Sequence, residues 1–532
     1  MLSTRLFRRD KAGPLRVTLA VTALLLASLP PLAFGQRPGA FAVTGARIVT
    51  GTGKTIENGT VVFRGGLITD VGESAKAPAD ARIIDGKGLT VYPGLIDCFT
   101  NLGFPAQATP QPAGGFGGRR EAQQQAPAAG AQQQTEELRH GDASRSAAEE
   151  VKPGGTAIED ARSAGITAAL TSSRQGIFAG QSALINLAGT ESAKMVVKAP
   201  IALTVQFSSG GGFGGGYPGS LMGTVSFIRQ TLYDAIRYRD ESDRYGRIKR
   251  GVPRPEYDKK LAALLPVLRG ELPVMFVVNN DGDIRRAFII ADEFKLKPMI
   301  EGALSNTKMA DVLKTRNVPL ILSLDFPRRA ADATDDDEDS LRVLRDRANA
   351  PGGAARLAQA GVKFAFTAGS LSPRDFLANV QKAVESGLSK DQALQALTTD
   401  AAAIVGASDQ LGSIEVGKIA NLVVTSGDLL ARDTRVRHVF IDGEEIELRR
   451  PDVPQRGPQQ GRPGARPGPA STDASTDPAG EWALTVQSPD GPINATLILS
   501  HQGNGFGGSL SSHLGIAQVR SGAVNGNELR CT

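Results

Sequence analysis

Histidine and cysteine are the scarcest reactive groups in this chain. Four histidines and two cysteines occur in 532 residues. Two thiols, Cys98 and Cys531, exclude a disulfide scaffold and a thiolate zinc site, which needs roughly two to four thiolates. The histidines stand at 140, 438, 501 and 513, so residues 141–437 contain none. Gly-x-Ser-x-Gly is absent, which removes the usual nucleophile elbow. The Gly-rich stretch FGGGYPG is not followed by Lys-Ser or Lys-Thr, so it does not read as a phosphate loop. Beyond residue 35 no stretch is long and apolar enough to span a membrane, which excludes a polytopic membrane protein.

What is present is a globular composition with low-complexity interruptions. Hydrophobic residues make up 41% of the chain, so a sizeable core can be buried. Sixty-two glycines and 31 prolines exceed the ordinary share, and they concentrate in a few segments. The first segment reads as an export leader. Arg5, Arg8, Arg9, Lys11 and Arg16 precede an apolar run from Val17 to Leu32, and Ala33-Phe34-Gly35 resembles a small-x-small cleavage site. Residues 1–35 are therefore expected to be removed, leaving a periplasmic or secreted protein. Without that segment the net charge falls from +5 to +1, so no global basic field draws nucleic acid.

Residues 41–92 hold short β-rich runs split by Gly-containing turns. From Pro93 the pattern changes. Short apolar strands at 95–99, 166–170, 201–207, 274–278, 298–302, 318–324 and 363–369 alternate with helical stretches such as 157–165, 261–270, 283–294, 307–316 and 373–387. Strand–helix alternation implies a parallel sheet covered by helices. Seven or so units predict a closed α/β barrel over 93–404. A Rossmann sheet would want Gly-x-Gly-x-x-Gly after the first strand, where LIDCFTNLGFP stands instead. Residues 104–135, rich in Gln, Ala, Pro and Gly, interrupt the barrel, and SSGGGFGGGYPGS at 208–220 forms a second loop. Residues 405–448 return to strands and 449–479 form a Pro/Gly/Arg linker. Residues 480–532 alternate as four or five antiparallel strands, too small for a complete barrel.

The segments GARIVTGTGKTIENGTVVFRGGLITDVG, IIDGKGLTVYPGLID and ALQALTTDAAAIVGASDQLGSIEVGKIANLVV resemble the terminal signatures of the amidohydrolase superfamily of metal-dependent hydrolases, imidazolonepropionase- and dihydroorotase-like. The resemblance covers roughly 41–101 and 270–445. It implies a (β/α)8 TIM-like barrel with a composite β-sandwich built from 41–92 and 405–448. The tail resembles part of an eight-stranded β-barrel module. It also implies one or two metal ions, usually zinc, held by a His-x-His after the first strand, by histidines after strands five and six, and by an aspartate after strand eight. Such a metal lowers the pKa of a water to ~7 and polarises the scissile carbonyl of an amide or related substrate.

This chain departs from that pattern throughout. Phe99 and Asn101 stand at the His-x-His positions, Val277 and Glu301 at the next two histidines, and Gly369 at the aspartate. With no histidine in 141–437, a histidine-rich zinc site inside the barrel is excluded whatever the alignment, and no metal cofactor is expected. An oxygen-ligand site from Asp97, Glu301 and Asp325 stays open, as does acid–base work by Glu301 with Asp325. Asp97 alternatively accepts strand-end hydrogen bonds, and Cys98 is a buried small residue or a nucleophile without a base. The acidic run 335–339 reads as a solvated loop or an oxygen-ligand calcium site. The expectation is a degenerate member that binds a small molecule or a protein at the five substituted positions. That protein would be a second copy or an active amidohydrolase. No nucleic acid is expected, and no membrane once the leader is cleaved. The alternative is a hydrolase of carbon–nitrogen bonds with an altered site.

Overall fold

A computed structural model describes residues 39–104, 139–207, 217–302, 307–329, 339–369 and 371–448, and the backbone of five strands between 480 and 531. The expected leader, nearly all of the 104–135 insertion, the linker 449–479 and all of the acidic run but Asp339 lie outside these residues. Two units separate near residue 451.

In the first unit the two ends of residues 39–448 build one sheet. Strands β1 (Ala40–Val49), β2 (Thr55–Arg64), β3 (Leu67–Gly72), β4 (Ala81–Asp85) and β5 (Thr90–Pro93) join β16 (Leu422–Thr425), β17 (Val436–Ile441) and β18 (Glu444–Ile446). The order is β18-β17-β16-β5-β1-β2-β3, with β4 paired parallel to β1. The chain ends meet where β5 lies antiparallel to β16, Leu422 opposite Pro93 and Val424 opposite Val91. Val43, Ile48, Val61, Phe63, Leu422 and Phe440 pack on one side, with the Phe63 and Phe440 rings 4.9 Å apart edge-to-face. Gly51 holds the β1–β2 turn at φ +83°, where a Cβ would stand 2.9 Å from the Gly412 carbonyl oxygen.

The expected strand–helix alternation occupies the middle of the chain. Strands β6 (Leu95–Thr100) and β7 (Ile166–Thr171) pair in parallel. So do β11 (Leu203–Gln206), β12 (Val274–Val278), β13 (Pro298–Gly302), β14 (Leu320–Ser323) and β15 (Phe364–Thr367). Between these groups the chain departs from the expected alternation. Strands β8 (Phe178–Gln181) and β9 (Ala183–Asn186) run antiparallel to β11 and β7 respectively, with Ser182 at the changeover, and β10 (Val196–Lys198) pairs with β9. The described strands thus form two open sheets, β10-β9-β7-β6 and β15-β14-β13-β12-β11-β8. The architecture is a mixed α/β, TIM-barrel-like one.

Period-two alternation sorts the parallel strands into two environments. Val274, Phe276, Ile300, Leu320, Leu322, Phe364 and Phe366 face a core shared with helices. That core takes Ile158 from α1 (Thr156–Ser163) and Ile228 and Leu232 from α2 (Leu221–Ile248). It also takes Ile284 and Phe288 from α3 (Asp281–Phe294), Leu313 from α4 (Ala310–Arg316) and Phe376 and Val380 from α5 (Pro373–Glu385). The intervening residues Ile96, Met275, Met299, Ile321 and Ala365 form a second apolar cluster. Two residues further on stand Val277, Glu301, Ser323 and Thr367, toward the C-terminal ends of their strands. Local capping agrees with these elements. Asn280 and Ser372 each accept from the backbone N–H three residues on, worth about 1 kcal/mol apiece.

The long helix α2 has no counterpart among the helices expected from sequence, because after its first half nothing apolar repeats at helical spacing. The second unit is an antiparallel meander of β19 (Gly480–Ser488), β20 (Gly491–Gln502), β21 (Gly505–Ser512), β22 (Gly515–Asn525) and β23 (Glu528–Cys531), in sequence order.

Candidate functional site

At the C-terminal end of β6 the chain turns inward a carboxylate. Asp97 is 2% exposed. Its Oδ1 lies 2.8 Å from Thr367 Oγ1 and accepts from the backbone N–H groups of Ala368 at 3.2 Å and Phe99 at 3.4 Å. Thr367 Oγ1 also lies 2.6 Å from the Phe99 carbonyl oxygen, so its single proton serves one of two acceptors. These contacts join β6 to β15 without a ladder. Burial raises the Asp97 carboxyl to about 6, and the hydrogen bonds from Thr367, Phe99 and Ala368 pull the other way.

Arg174, three residues past β7, reaches across this seam. Its Nη2 donates to the carbonyl oxygens of Phe99 and Gly369, each at 3.1 Å. Its guanidinium carbon stands 4.9 Å from the centroid of the Phe99 ring, a cation–π contact. Its Nε is buried with no hydrogen-bond partner among the described residues. Sequence reading passed over Arg174. The available signal was an arginine just after a parallel strand, which gains meaning only once that end is known to lack metal ligands.

Glu301 on β13 is 5% exposed, and no described residue hydrogen-bonds its carboxylate. Burial raises it to about 7, the charge of Arg174 opposes the rise and that of Asp97 adds to it. The site is therefore one fixed cation with two buried carboxyls whose titration falls near neutrality.

Of the five substituted positions, Phe99 and Gly369 are joined through Arg174, and Glu301 lies within its electrostatic reach. Val277 packs with the second apolar cluster, where Phe99 also lies, and Asn101 is exposed. Gly369 adopts φ +63°, and a Cβ there would stand 2.9 Å from Ser323 Oγ. Asp325 holds a partly exposed ion pair with Arg328 at 3.4 Å. Among the described residues no three His, Cys, Asp or Glu side chains gather as a metal site, so Asp97, Glu301 and Asp325 do not form the oxygen cage that stayed open in the sequence. A metal of the superfamily's kind does not fit this donor set, because no three ligand-type side chains gather among the described residues and a guanidinium is held on the Phe99 and Gly369 carbonyls. Cys98 is fully buried with its Sγ 4.0 Å from the Ala401 carbonyl oxygen. Burial, and secondarily the Asp97 charge, push its thiol well above the ordinary range, which makes it a poor nucleophile.

Comparison with known proteins adds three findings. Residues 346–446 match the model of the amidohydrolase family. A stretch of 63 residues, 12% of this chain, is 38% identical to a dihydroorotase of Geotalea daltonii and spans 15% of that protein's length. The crystal structure of an amidohydrolase from Thermotoga maritima MSB8 superposes with a TM-score of 0.61 at 24% identity, covering 77% of this chain and all of that one, which is a likeness of fold. The first two are local likenesses to the amidohydrolase family, which the sequence motifs also resemble, and the third is a likeness of fold.

Proposed function

We propose that this amidohydrolase-superfamily chain is an exported, non-catalytic member whose standard metal site has degenerated, and that it binds a small molecule or a protein partner at the strand ends. The observation that carries this reading is the placement of Arg174, hydrogen-bonded to the backbone of Phe99 and Gly369. Unit like charges 4 Å apart at an effective dielectric of 20 repel by about 4 kcal/mol, and a divalent ion beside the guanidinium would be opposed by more. The same reading takes the two open sheets as a (β/α)8-type barrel, with 178–186 filling one strand position. It takes the eight-stranded sheet as part of the composite sandwich. Elemental analysis of the purified protein tests it. Less than about 0.1 zinc per chain and a chelator-insensitive melting temperature are expected. Stoichiometric zinc would overturn it.

A second reading rests on Glu301. A buried carboxyl that titrates near neutrality beside a fixed guanidinium suits a general base paired with an oxyanion donor. The protein would then hydrolyse carbon–nitrogen bonds without a metal. Turnover of simple amides that vanishes in Glu301→Gln would establish this reading against the first.

A further inference from the structure

The net charge of the whole chain gives no reason to expect nucleic acid, but the fold distributes that charge unevenly. The last buried residue of α2 is Ala235, yet the helix continues thirteen residues further to Ile248, about 20 Å of additional length. From residue 236 to residue 263 no side chain is buried. The chain leaves the helix at Lys249 with φ 54° and turns again at Gly251. It then returns through Pro253 and Pro255 to a short helix at Lys259–Ala262. The second half of α2 and the return that follows it thus form a largely exposed arm that ends in a loop.

Charge on the arm is segregated along its length. In its inner part Arg237 pairs with Glu241 and Arg239 with Asp240. Residues 244–255 at its end hold Arg244, Arg247, Lys249, Arg250 and Arg254 and no acid. All five are exposed, and among the described residues none is in an ion pair. Asp243 precedes this stretch; Glu256 and Asp258 follow it, and the Asp258 carboxylate accepts from the N–H groups of Lys260 and Leu261. Ile248 stands exposed among the basic residues at 53%, and Tyr257, between Glu256 and Asp258, is exposed at 74%.

We propose that the end of this arm docks the protein on an anionic lipid surface. Basic side chains flanking an exposed aliphatic residue, with an exposed tyrosine just beyond them between Glu256 and Asp258, are the composition of an interfacial contact. The charges meet the headgroups, Ile248 enters the acyl boundary and the amphipathic Tyr257 ring sits at headgroup level. Each basic residue within a screening length of such a surface strengthens binding about fivefold. Nucleic acid would be drawn by the same charge, but Ile248 offers no stacking face to a base, whereas an exposed aliphatic side chain among basic ones suits the headgroup–acyl boundary.

Sedimentation of the full chain with vesicles tests the proposal. It should bind phosphatidylcholine vesicles carrying roughly 25% phosphatidylglycerol at about 50 mM salt and be released at about 500 mM. Pure phosphatidylcholine vesicles should leave it in solution. Lys249→Glu with Arg250→Glu and Arg254→Glu should lower binding by at least ~100-fold, and Ile248→Ser with Tyr257→Ser by severalfold, both with an unchanged melting temperature because every site is exposed. Equal sedimentation of the charge-reversed protein would overturn the proposal. So would undiminished binding to neutral vesicles, or tighter binding to polyuridylate than to anionic vesicles.

Discussion

Replacing Glu301 with glutamine should make the protein more stable, not less, and only above a definite pH. The folded-state value of Glu301 is raised from 4.5 to about 7. Below pH 4.5 the carboxyl is protonated in both folded and unfolded chains, and it imposes no penalty. Between pH 4.5 and 7 the unfolded chain releases the proton while the folded chain keeps it, so stability falls by about 1.4 kcal/mol per pH unit. Above pH 7 both states are ionised and the loss is complete. A shift of this size is about 3 kcal/mol. Glutamine has nearly the same shape and no charge to desolvate, so Glu301→Gln should gain most of that at pH 8 and little at pH 4.5. Asp97, raised from 3.8 to about 6, contributes a parallel decline that ends one unit lower. The variant should therefore keep a pH slope that flattens near pH 6, where the parent's continues to pH 7. Urea unfolding from pH 4 to 8, read by the helical circular dichroism of the first unit, measures both curves. A Glu301→Gln protein that is equally destabilised at pH 5 and pH 8 would refute the argument, because it would mean the carboxylate makes a bond that the amide cannot replace.

Three further outcomes are expected. Gly369→Asp should restore no metal ligand and should cost about 2 kcal/mol in urea unfolding, since the site has φ +63° and its Cβ would meet Ser323 Oγ at 2.9 Å; a variant as stable as the parent would show that the β15 end can relax. Phe99→His with Asn101→His should bind zinc weakly by equilibrium dialysis and yield no amide hydrolysis, because Arg174 remains in place and Gly369 has no side chain to take a proton. Tight zinc binding with turnover would mean that other ligands converge there. Iodoacetamide should leave Cys98 unmodified in the folded protein, as followed by peptide mass spectrometry, and alkylate it once the protein is unfolded; rapid labelling of the native protein would contradict the buried, protonated thiol.

Features set by neighbours along the chain were legible in the sequence. Period-two runs bounded by Gly turns marked the terminal strands; β11 through β15 fall within the apolar stretches from which they were expected, and β6 and β7 overrun theirs by one residue. A count was equally decisive. With no histidine from 141 to 437, no folding of the chain can bring imidazole ligands into this barrel-like region from its own strands. Even single side chains could be weighed this way, since Asp97 at a strand end is indeed a hydrogen-bond acceptor.

What the sequence could not show are the relations between residues far apart in it. Arg174 meets carbonyl groups 75 and 195 positions away, and Asp97 meets Thr367 across 270. No periodicity encodes such pairs, because each depends on where parallel strands end and on which residues stand at those ends. The antiparallel run 178–186 reads like any short apolar strand, since direction is decided by the partners it finds. Charge behaves the same way. Summed along the chain it nearly cancels, but the fold leaves Arg244, Arg247, Lys249, Arg250 and Arg254, which lie in a stretch without acids, all exposed. Electrostatic attraction follows distance in space, screened within about 10 Å, and only the folded chain assigns those distances.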